Sequence, residues 1–551
     1  MTLTEEQRVI IEETITNPSG VYGTLARAGV GKSFTIFKAM DYIKEYQPKA
    51  KILYLVFNKS NQIEAEQKLQ KYMFTLAPVE VATAHSFALQ CYRTVNPGIK
   101  VINRLDRDII YDFQKKSYKR DIKYSKHAPF HWLHDKFGSS KYILKTFCED
   151  MLEHFQNYYE GPDKAKDCEL LTKFGKKVEA FGIQVDAYSC VTQEHIYAFE
   201  KIMEAHIKKR MYTHAMYLKA AAYAKYAKLK EYDYVFFDEA QDASYFILKL
   251  LDKHKIGKLY FIGDDRQSIY NFGGATENVF ETVQFDKLYT LSKSFRFGKK
   301  IADLANAIIT MHSKQKLVGT EQSKEYDKTK LTRLYRTNAK LFKDALDLAY
   351  QAVQNGIKLK IDFMKPLTDD TALHEILAFL KLFYQYEKRS IYLDNKQFLD
   401  VFETPESLRQ FEQRLEETNK FYNTYNEFYD FLSDDIHVMF NYAKAKSTFL
   451  DKYKALLLCL KEPYPIYKIT MITMHRSKGL QWPNVMIAEP TKLYYEDKNG
   501  TIRRSSNFIQ ELNLAYVAVT RAEKHLDASI LRNELCQESD KFEDISLIVG
   551  E

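Results

Sequence analysis

The chain has 551 residues, of which 45% are apolar and 28% charged, and its sparse glycine (19) and proline (12) exclude collagen-like, low-complexity and disordered classes. A net charge of +8 is too mild in a chain of this length to indicate a nucleic-acid partner by itself. No apolar run approaches the roughly 20 residues that a membrane span needs, and the first residues lack the apolar segment of a signal peptide. We therefore expect a compact, helix-rich, intracellular protein of roughly three to four domains, with no membrane partner.

The first strong local signal is a glycine-bearing loop between a predicted strand and a predicted helix. Residues 21–25 (VYGTL) and 51–57 (KILYLVF) have the pattern of buried parallel strands, and the first of them runs into ARAGVGKS (26–33) and then FTIFKAMDYIKEY. Small residues let backbone amides close around a β-phosphate, and the helix N-terminus adds a favourable dipole. Lys32 would neutralise the β- and γ-phosphates, while the Ser33 hydroxyl would bind Mg²⁺.

Polar side chains follow two further predicted strands. Residues 234–237 (YVFF) end in the acidic run DEAQD, in which Asp238 would hold Mg²⁺ and Glu239 would orient and deprotonate the attacking water. Residues 259–262 (LYFI) lead into GDDRQSIY, where Gln267 has the chemistry to sense a γ-phosphate. Taken alone, these segments also suit a helix-capping run and an ordinary polar loop. Together with the glycine loop they favour hydrolysis of a nucleoside triphosphate.

Motifs along both halves of the chain resemble those of superfamily 1 DNA helicases of the UvrD, Rep and PcrA type. In the family's order they are LTEEQ (3–7), ARAGVGKS (26–33), FNKS (57–60), TAHSF (83–87), DEAQD (238–242), GDDRQSIYNFGGA (263–275), SKSFRFG (292–298), LYRTN (334–338), TMHRSKGLQW (473–482) and ELNLAYVAVTRA (511–522). FNKS, SFRFG and HRSKGLQW are most similar to the F-box DNA helicase branch. Because nothing ahead of Gln7 resembles an F-box, we expect only the motor to be shared.

The resemblance implies that the cofactors are ATP and Mg²⁺. Gln7 would read the adenine edge, and Ser33 and Asp238 would hold the metal. The residues implied to surround the phosphates are Ala28, Gly29, Val30, Gly31, Lys32 and Ser33.

Residues of the second half would complete the nucleotide site. Arg296 and Arg521 match the family's arginine fingers, which neutralise the γ-phosphate when two domains close. Phe34 and Phe295 stand where the family commonly sandwiches the base, so we expect an aromatic clamp around adenine. The alternative is that Phe34 turns inward as helix core. Gln481 stands where a glutamate usually holds the ribose.

Single-stranded DNA would lie across both motor domains, held by phosphate contacts and by aromatic platforms that stack on bases. Tyr270 and Phe272 are the leading platform candidates. The other side chains that match DNA-contacting positions of the family are Phe57, Asn58, His85 and His475. Without the motif context, a lone histidine or phenylalanine is more often a core residue.

Motif order predicts an α/β fold with two RecA-like P-loop motor domains, each built on a parallel sheet and each carrying a mainly helical insertion. The predicted segments are 1–91 with 211–287 for the nucleotide-binding domain, 92–210 for its helical insertion, 288–365 with 463–551 for the second motor domain, and 366–462 for a helical accessory domain. Basic residues outnumber acidic ones over residues 91–150, which suits contact with a phosphate backbone and equally a solvated helical surface.

The resemblance implies an ATP-dependent helicase that translocates 3′ to 5′ along single-stranded DNA and acts at junctions of single and double strands. The alternative is a DNA-stimulated motor that strips proteins from DNA or regulates a partner with little unwinding of its own. Protein partners of suitable kinds are a nuclease, a single-strand-binding protein or a recombinase. The expected compartment is the cytoplasm or nucleoid in a bacterium or phage and the nucleus in a eukaryote. A plain P-loop ATPase would leave the motifs outside the nucleotide site unexplained.

Overall fold

A computed structural model of the chain describes residues 3–56, 59–72, 79–102, 109, 204–224, 230–269, 279–309, 316–320, 327, 329–364, 449–496, 502–505, 507–536 and 548–549. The chain divides into an amino-terminal unit, Met1–Ser294, and a carboxyl-terminal unit, Phe295–Glu551. Each unit contains one six-stranded sheet in which parallel pairs predominate, so the predicted α/β class with two parallel sheets is confirmed. Most of the predicted insertions 92–210 and 366–462 lies outside the described residues, and the domain boundaries stay predictions.

The amino-terminal unit is a parallel sheet with helices between its strands. Its strands are β1 (Gly20–Ala26), β2 (Ile52–Val56), β3 (Val79–Thr83), β4 (Lys100–Val101), β5 (Met211–Tyr212), β6 (Glu231–Asp238), β7 (Lys255–Gly263), β8 (Lys287–Leu291) and β9 (Lys293–Ser294). Its helices are α1 (Glu5–Thr16), α2 (Lys32–Tyr46), α3 (Lys59–Tyr72), α4 (Ala84–Val95), α5 (His214–Tyr223), α6 (Tyr245–Asp252) and α7 (Val279–Thr282). The strand order in the large sheet is β3-β2-β6-β7-β1-β8.

This order brings three loops to one edge of the sheet. All five residues of β2 are buried, as expected for a strand covered on both faces. β7 lies between β1 and β6, with Leu25 of β1 opposite Gly263 and Asp238 of β6 opposite Ile262. The carboxyl ends of the three strands are therefore level, and the segments that follow them meet where open α/β sheets bind ligands.

The carboxyl-terminal unit repeats this architecture. Its strands are β10 (Val318–Gly319), β11 (Lys330–Tyr335), β12 (Leu359–Phe363), β13 (Tyr467–Thr473), β14 (Trp482–Ile487), β15 (Tyr494–Glu496), β16 (Ile502–Arg504), β17 (Ala522–Asp527) and β18 (Ile548–Val549). Its helices are α8 (Lys299–Ile309), α9 (Asn338–Gln354), α10 (Phe449–Lys461), α11 (Phe508–Val519) and α12 (Arg532–Cys536). No helix in the described ranges of the chain has the length and apolarity that crossing a bilayer requires.

The large sheet of this unit has the strand order β12-β13-β11-β14-β17-β18, and only the β17–β18 pair is antiparallel. Tyr335 of β11 lies opposite Thr473 of β13, and Leu334 lies opposite Ile487 of β14. Three neighbouring strands thus end together here as well. Helix α11 is buried along most of its length, which fits its apolar sequence FIQELNLAYVAV.

Candidate functional site

The loop between β1 and α2 forms a cradle of backbone amides. Gly29 and Gly31 have left-handed φ angles of 74° and 78°, which glycine adopts at little cost because it has no Cβ. Gly31 is also the N-cap of α2 and has no side chain with which to cap the first turn. Ala28 and Val30 are both 2% exposed and anchor the loop in the core. This arrangement suits an anion at the helix N-terminus.

Lys32 contacts Asp238, the last residue of β6, and Glu239, which follows it. Its Nζ lies 3.1 Å from Asp238 Oδ1 and is hydrogen-bonded to Glu239 Oε1. Burial by itself would lower the pKa of Lys32, but the two carboxylates outweigh that effect and raise the pKa above its usual value. The ammonium is therefore charged at neutral pH. The structure thus brings together three of the predicted site residues at one edge of the sheet.

The two carboxylates are held by residues that the sequence did not single out. Tyr54 of β2 donates a hydrogen bond of 2.7 Å to Asp238 Oδ2, and the Glu239 amide donates to Asp238 Oδ1 at 2.9 Å. Glu239 has a left-handed φ of 56°, which is uncommon for a residue other than glycine and typical of functional sites. Gln241 Nε2 donates to Glu239 Oε2 at 2.6 Å.

Asp264 connects the loop after β7 to both neighbouring segments. Its backbone amide donates to Gln241 Oε1 at 3.1 Å, and its Oδ2 accepts a 2.8 Å bond from Gln267 Nε2. Its Oδ1 accepts from Arg27 Nη1 in the glycine loop at 2.8 Å. A Cβ at Gly263 would lie 2.1 Å from Gln241 Oε1, so only glycine allows this close approach. The predicted sensor Gln267 therefore belongs to the same network as the acidic residues.

Gln7 contacts the phosphate loop from α1. It forms a capping box with Thr4, in which the Thr4 amide donates to Gln7 Oε1 at 3.0 Å, and its Nε2 lies 3.4 Å from the carbonyl oxygen of Val30. Ser33 and Phe34 occupy the first turn of α2 and are half-buried, whereas Phe37 is 4% exposed. Phe34 is thus not part of the fully buried core of α2.

In the carboxyl-terminal unit, Thr520 joins the two predicted arginine fingers. Arg296 Nη1 donates to the Thr520 carbonyl at 2.9 Å, and Arg521 Nη2 donates to Thr520 Oγ1 at 3.1 Å. Arg521 is 1% exposed, and it also donates to the carbonyl oxygens of Val517 at 2.9 Å and Leu480 at 3.0 Å. The guanidinium therefore satisfies one carbonyl at the C-terminal end of α11, where positive charge is favourable, and one in the loop before β14.

His475 lies beside a partly buried ion pair at the carboxyl edge of the second sheet. Arg336 binds Glu511 with Nε at 3.0 and 3.1 Å and with Nη2 at 2.6 Å. Burial and the Arg336 charge lower the pKa of His475 to about 4, against the opposing charge of Glu511. Its imidazole is consequently neutral at pH 7. Of the other predicted residues in this unit, Phe295 is half-buried and Gln481 is exposed.

His85 begins a small cluster between α4 and α5. Its ring is perpendicular to that of His214, with centroids 5.7 Å apart, and its Nδ1 lies 3.5 Å from the Tyr217 hydroxyl. The same hydroxyl lies 2.8 Å from His214 Nδ1. Burial, and to a smaller extent the charge of His214, lowers the pKa of His85 to about 4. The other predicted DNA contacts, Phe57, Asn58, Tyr270 and Phe272, lie outside the described residues.

Some of the site residues that were not predicted had a recognisable signal in the sequence, and one did not. Arg27, Gln241 and Thr520 stand inside quoted motifs, next to predicted residues, and their polar character was a usable signal. Tyr54 stands in a uniformly buried strand and gave no such signal. Its role depends on the pairing of β2 with β6, in which Tyr54 lies opposite Phe236.

Comparison with known proteins matches both ends of the chain to one family. The model of the UvrD/REP helicase N-terminal domain matches residues 3–288, and that of the UvrD-like helicase C-terminal domain matches residues 468–526. F-box DNA helicase protein 1 of Schizosaccharomyces pombe is 25% identical over 95% of the chain, and F-box DNA helicase 1 of Gallus gallus is 28% identical over 54%. A probable DNA helicase II homolog of Mycoplasma pneumoniae is 22% identical over 57%. The chain covers 57%, 29% and 43% of these three relatives, respectively.

Proposed function

Because the chain belongs to the UvrD/REP helicase family, we propose that it is an ATP-dependent DNA helicase that uses Mg²⁺ and translocates 3′ to 5′ along single-stranded DNA. The names of its relatives describe DNA helicases, which supports the choice of DNA as the substrate. The polarity rests on the resemblance of the motifs alone. Junctions between single and double strands are the proposed sites of action.

The observation that carries this proposal is the meeting of Lys32 with Asp238 and Glu239 beside the glycine loop. The left-handed glycines fit a triphosphate, because glycine adopts this conformation without strain and lets the backbone approach a ligand closely. Ser33 and Asp238 offer oxygen ligands, which Mg²⁺ prefers. Among the described residues, no three His, Cys, Asp or Glu side chains form a metal site of their own. Mg²⁺ usually takes one or two protein oxygens and completes its shell with phosphate and water, so this donor set suffices.

Each residue of the amino-terminal site has a proposed task. ATP supplies the γ-phosphoryl group that is transferred to water. Lys32 neutralises the β- and γ-phosphates after exchanging its carboxylate partners for phosphate oxygens. Glu239 orients the attacking water and accepts its proton, while Gln267 senses the γ-phosphate and helps to orient that water. Asp238 and Ser33 hold the metal, and Gln7 binds the adenine edge.

Arg296 and Arg521 are proposed to neutralise the charge that develops on the γ-phosphate. The bonds of both arginines to Thr520 support a shared role, since one residue holds the two guanidinium groups. Phe34 and Phe295 are proposed to enclose the adenine, and Gln481 to contact the ribose. His85, His475, Phe57, Asn58, Tyr270 and Phe272 are proposed to contact DNA.

The first experiment measures ATP turnover with and without single-stranded DNA. We expect strong stimulation by DNA in the natural chain and a loss of at least about a hundredfold in Lys32→Ala, Glu239→Gln and Arg521→Ala. Glu239→Gln should still bind a fluorescent ATP analogue, because it keeps the cradle and Lys32. Lys255→Ala, which removes an exposed ion pair with Glu231, serves as the charge control, and its ATP turnover should equal that of the natural chain. Equal turnover in Lys32→Ala and in the natural chain would contradict the proposed site.

The second experiment measures strand displacement on duplexes that carry either a 3′ or a 5′ tail. Displacement that requires the 3′ tail is expected for 3′ to 5′ movement. Displacement from the 5′ tail alone would overturn the polarity. DNA-stimulated turnover with no displacement from either substrate would favour the alternative, a motor that strips proteins or regulates a partner such as a nuclease.

A further inference from the structure

We infer that Arg27 is a positioning residue, which fixes Gln267 relative to the phosphate loop through the carboxylate of Asp264. The inference rests on the proposed function, because it assigns Gln267 to the γ-phosphate and the attacking water. It concerns two residues of this chain to which the proposed function gives no task.

Arg27 is a charged side chain turned into the protein from within the glycine loop. Its side chain is 1% exposed, and the loop that carries it is otherwise small and apolar up to Lys32. Its Nη1 binds Asp264 Oδ1 at 2.8 Å and also Asp265 Oδ1, while its backbone amide donates to the Leu291 carbonyl of β8 at 3.1 Å. A guanidinium at this depth is stable only with such partners, because its desolvation is costly. Arg27 thus ties the loop after β1 to the loop after β7.

The Asp264 carboxylate, which binds Arg27, also binds Gln267. The Asp264 side chain is 2% exposed, and its two oxygens serve different partners. Oδ1 accepts from Arg27 and, at 3.2 Å, from the Arg266 amide, whereas Oδ2 accepts from Gln267 Nε2 at 2.8 Å. Because the amide group is planar, the bond from Nε2 turns Gln267 Oε1 away from the carboxylate. Oε1 is the acceptor atom that orienting a water molecule requires. The orientation of the Gln267 amide is therefore set by a carboxylate that Arg27 holds in place.

The loop after β7 is also connected, through Gln241, to Glu239, the carboxylate proposed to activate water. The Asp264 amide donates to Gln241 Oε1 at 3.1 Å, and Gln241 Nε2 donates to Glu239 Oε2 at 2.6 Å. Arg27 therefore contributes to a continuous series of hydrogen bonds that runs from the phosphate loop to Glu239. Removal of the arginine would take from the buried Asp264 carboxylate a charged hydrogen-bond donor, and the carboxylate would be held less firmly in place.

The test compares Arg27→Ala, Arg27→Lys and Asp264→Asn with the control Lys255→Ala. Lys255 begins the strand that Asp264 follows, and its ion pair is exposed at 82% and 62%. We expect kcat for ATP with saturating single-stranded DNA to fall about tenfold in Arg27→Ala and in Asp264→Asn, with KM changed less than about twofold. Arg27→Lys keeps the charge and should recover part of kcat. The double variant Arg27→Ala/Asp264→Asn should be no worse than the single variants, because both act through one contact.

Binding of a fluorescent ATP analogue and thermal melting separate positioning from a role in folding alone. Turnover is expressed per nucleotide-binding site, so a loss of folded protein does not count as a loss of kcat. An unchanged kcat per site in Arg27→Ala, with only a lower Tm, would overturn the inference. Additive losses in the double variant would overturn it as well. A natural chain without DNA-stimulated turnover would overturn the proposed function itself, whereas an active natural chain with an equally active Arg27→Ala would overturn only the role of Arg27.

Discussion

The two phenylalanines proposed to enclose adenine are both half-buried, one in each unit. A residue committed to the core would be almost fully buried, as Phe37 is on the same helix as Phe34. We expect Phe34→Ala and Phe295→Ala each to weaken ATP binding about tenfold, because base stacking on an aromatic ring contributes about 1–3 kcal/mol. Titration with a fluorescent ATP analogue measures this. Weakening in Phe295→Ala alone would show that Phe34 has no part in a clamp.

His85 predicts a pH dependence of stability. Its pKa is lowered to about 4 in the folded chain, below the ordinary value of about 6.5, so the unfolded chain binds the proton more readily. Stability is therefore complete above pH 6.5 and is lost as the pH falls towards 4. From pH 7.5 to 5.5 we expect this group to remove about 1 kcal/mol of unfolding free energy. Urea unfolding at both pH values measures this. The free energy of unfolding should fall by about 1 kcal/mol more in the natural chain than in His85→Asn, and an equal fall in both would contradict the assignment.

At this scale, the grouping of residues from neighbouring motifs was predictable, whereas their distant hydrogen-bond partners were not. Lys32, Asp238 and Glu239 stand in compact motifs whose spacing indicates their task, and the structure brings them together. The hydroxyl of Tyr54 reaches Asp238 across 184 residues of sequence, and the ion pair of Arg27 with Asp264 spans 237. Such contacts depend on strand order, which motif spacing does not encode.

Among the elements, β7 is the one whose position decides the site. It lies between β1 and β6, so its carboxyl end must pass close to Gln241, and Gly263 allows this. In Gly263→Ala the new methyl group would displace the Gln241 amide, and we expect a loss of about 1–3 kcal/mol in stability together with lower turnover. Gly298→Ala, whose methyl group would meet nothing within 4 Å, is the control. Denaturant unfolding and ATP turnover of both variants check the expectation, and a neutral Gly263→Ala would show that the loop can adapt.

The parallel strands themselves were predictable because they are short, continuous apolar runs. YVFF and LYFI lie within β6 and β7, and VYGTL lies within β1. Periodicity could not supply their order in the sheet, since buried strands of similar composition are interchangeable in sequence terms. The helical insertions lie mostly outside the described residues, and their prediction stays untested.

For the molecule as a whole, the proposal requires ATP turnover to respond to DNA. We expect Phe272→Ala to lose most of the stimulation by single-stranded DNA while it keeps basal turnover, because the nucleotide residues are intact. Tyr495→Ala, which removes an aromatic ring that is 52% exposed on β15, is the matched control. Turnover measured against DNA concentration tests both variants. Full stimulation in Phe272→Ala would contradict its role as a platform.

Phosphate contacts would make DNA binding sensitive to salt. If about five phosphates are contacted, raising the salt from 50 to 200 mM should weaken single-strand binding about a hundredfold, because counterion release favours binding less at high salt. Fluorescence anisotropy of a labelled oligonucleotide measures the slope. A nearly flat slope would indicate that base stacking dominates instead.

The loop after β7 also limits the distance between two residues with proposed functions. Gln267 and Tyr270 are separated by three peptide bonds, and an extended chain spans at most about 3.6 Å per residue. Whatever path this tether takes, the two α-carbons lie within about 11 Å of each other. If Gln267 senses hydrolysis and Tyr270 carries a base, so short a link leaves only a few ångströms by which one residue can move without the other. Insertion of three or four glycines after Gln267 would lengthen this link, and ATP hydrolysis should then continue without translocation along the DNA strand.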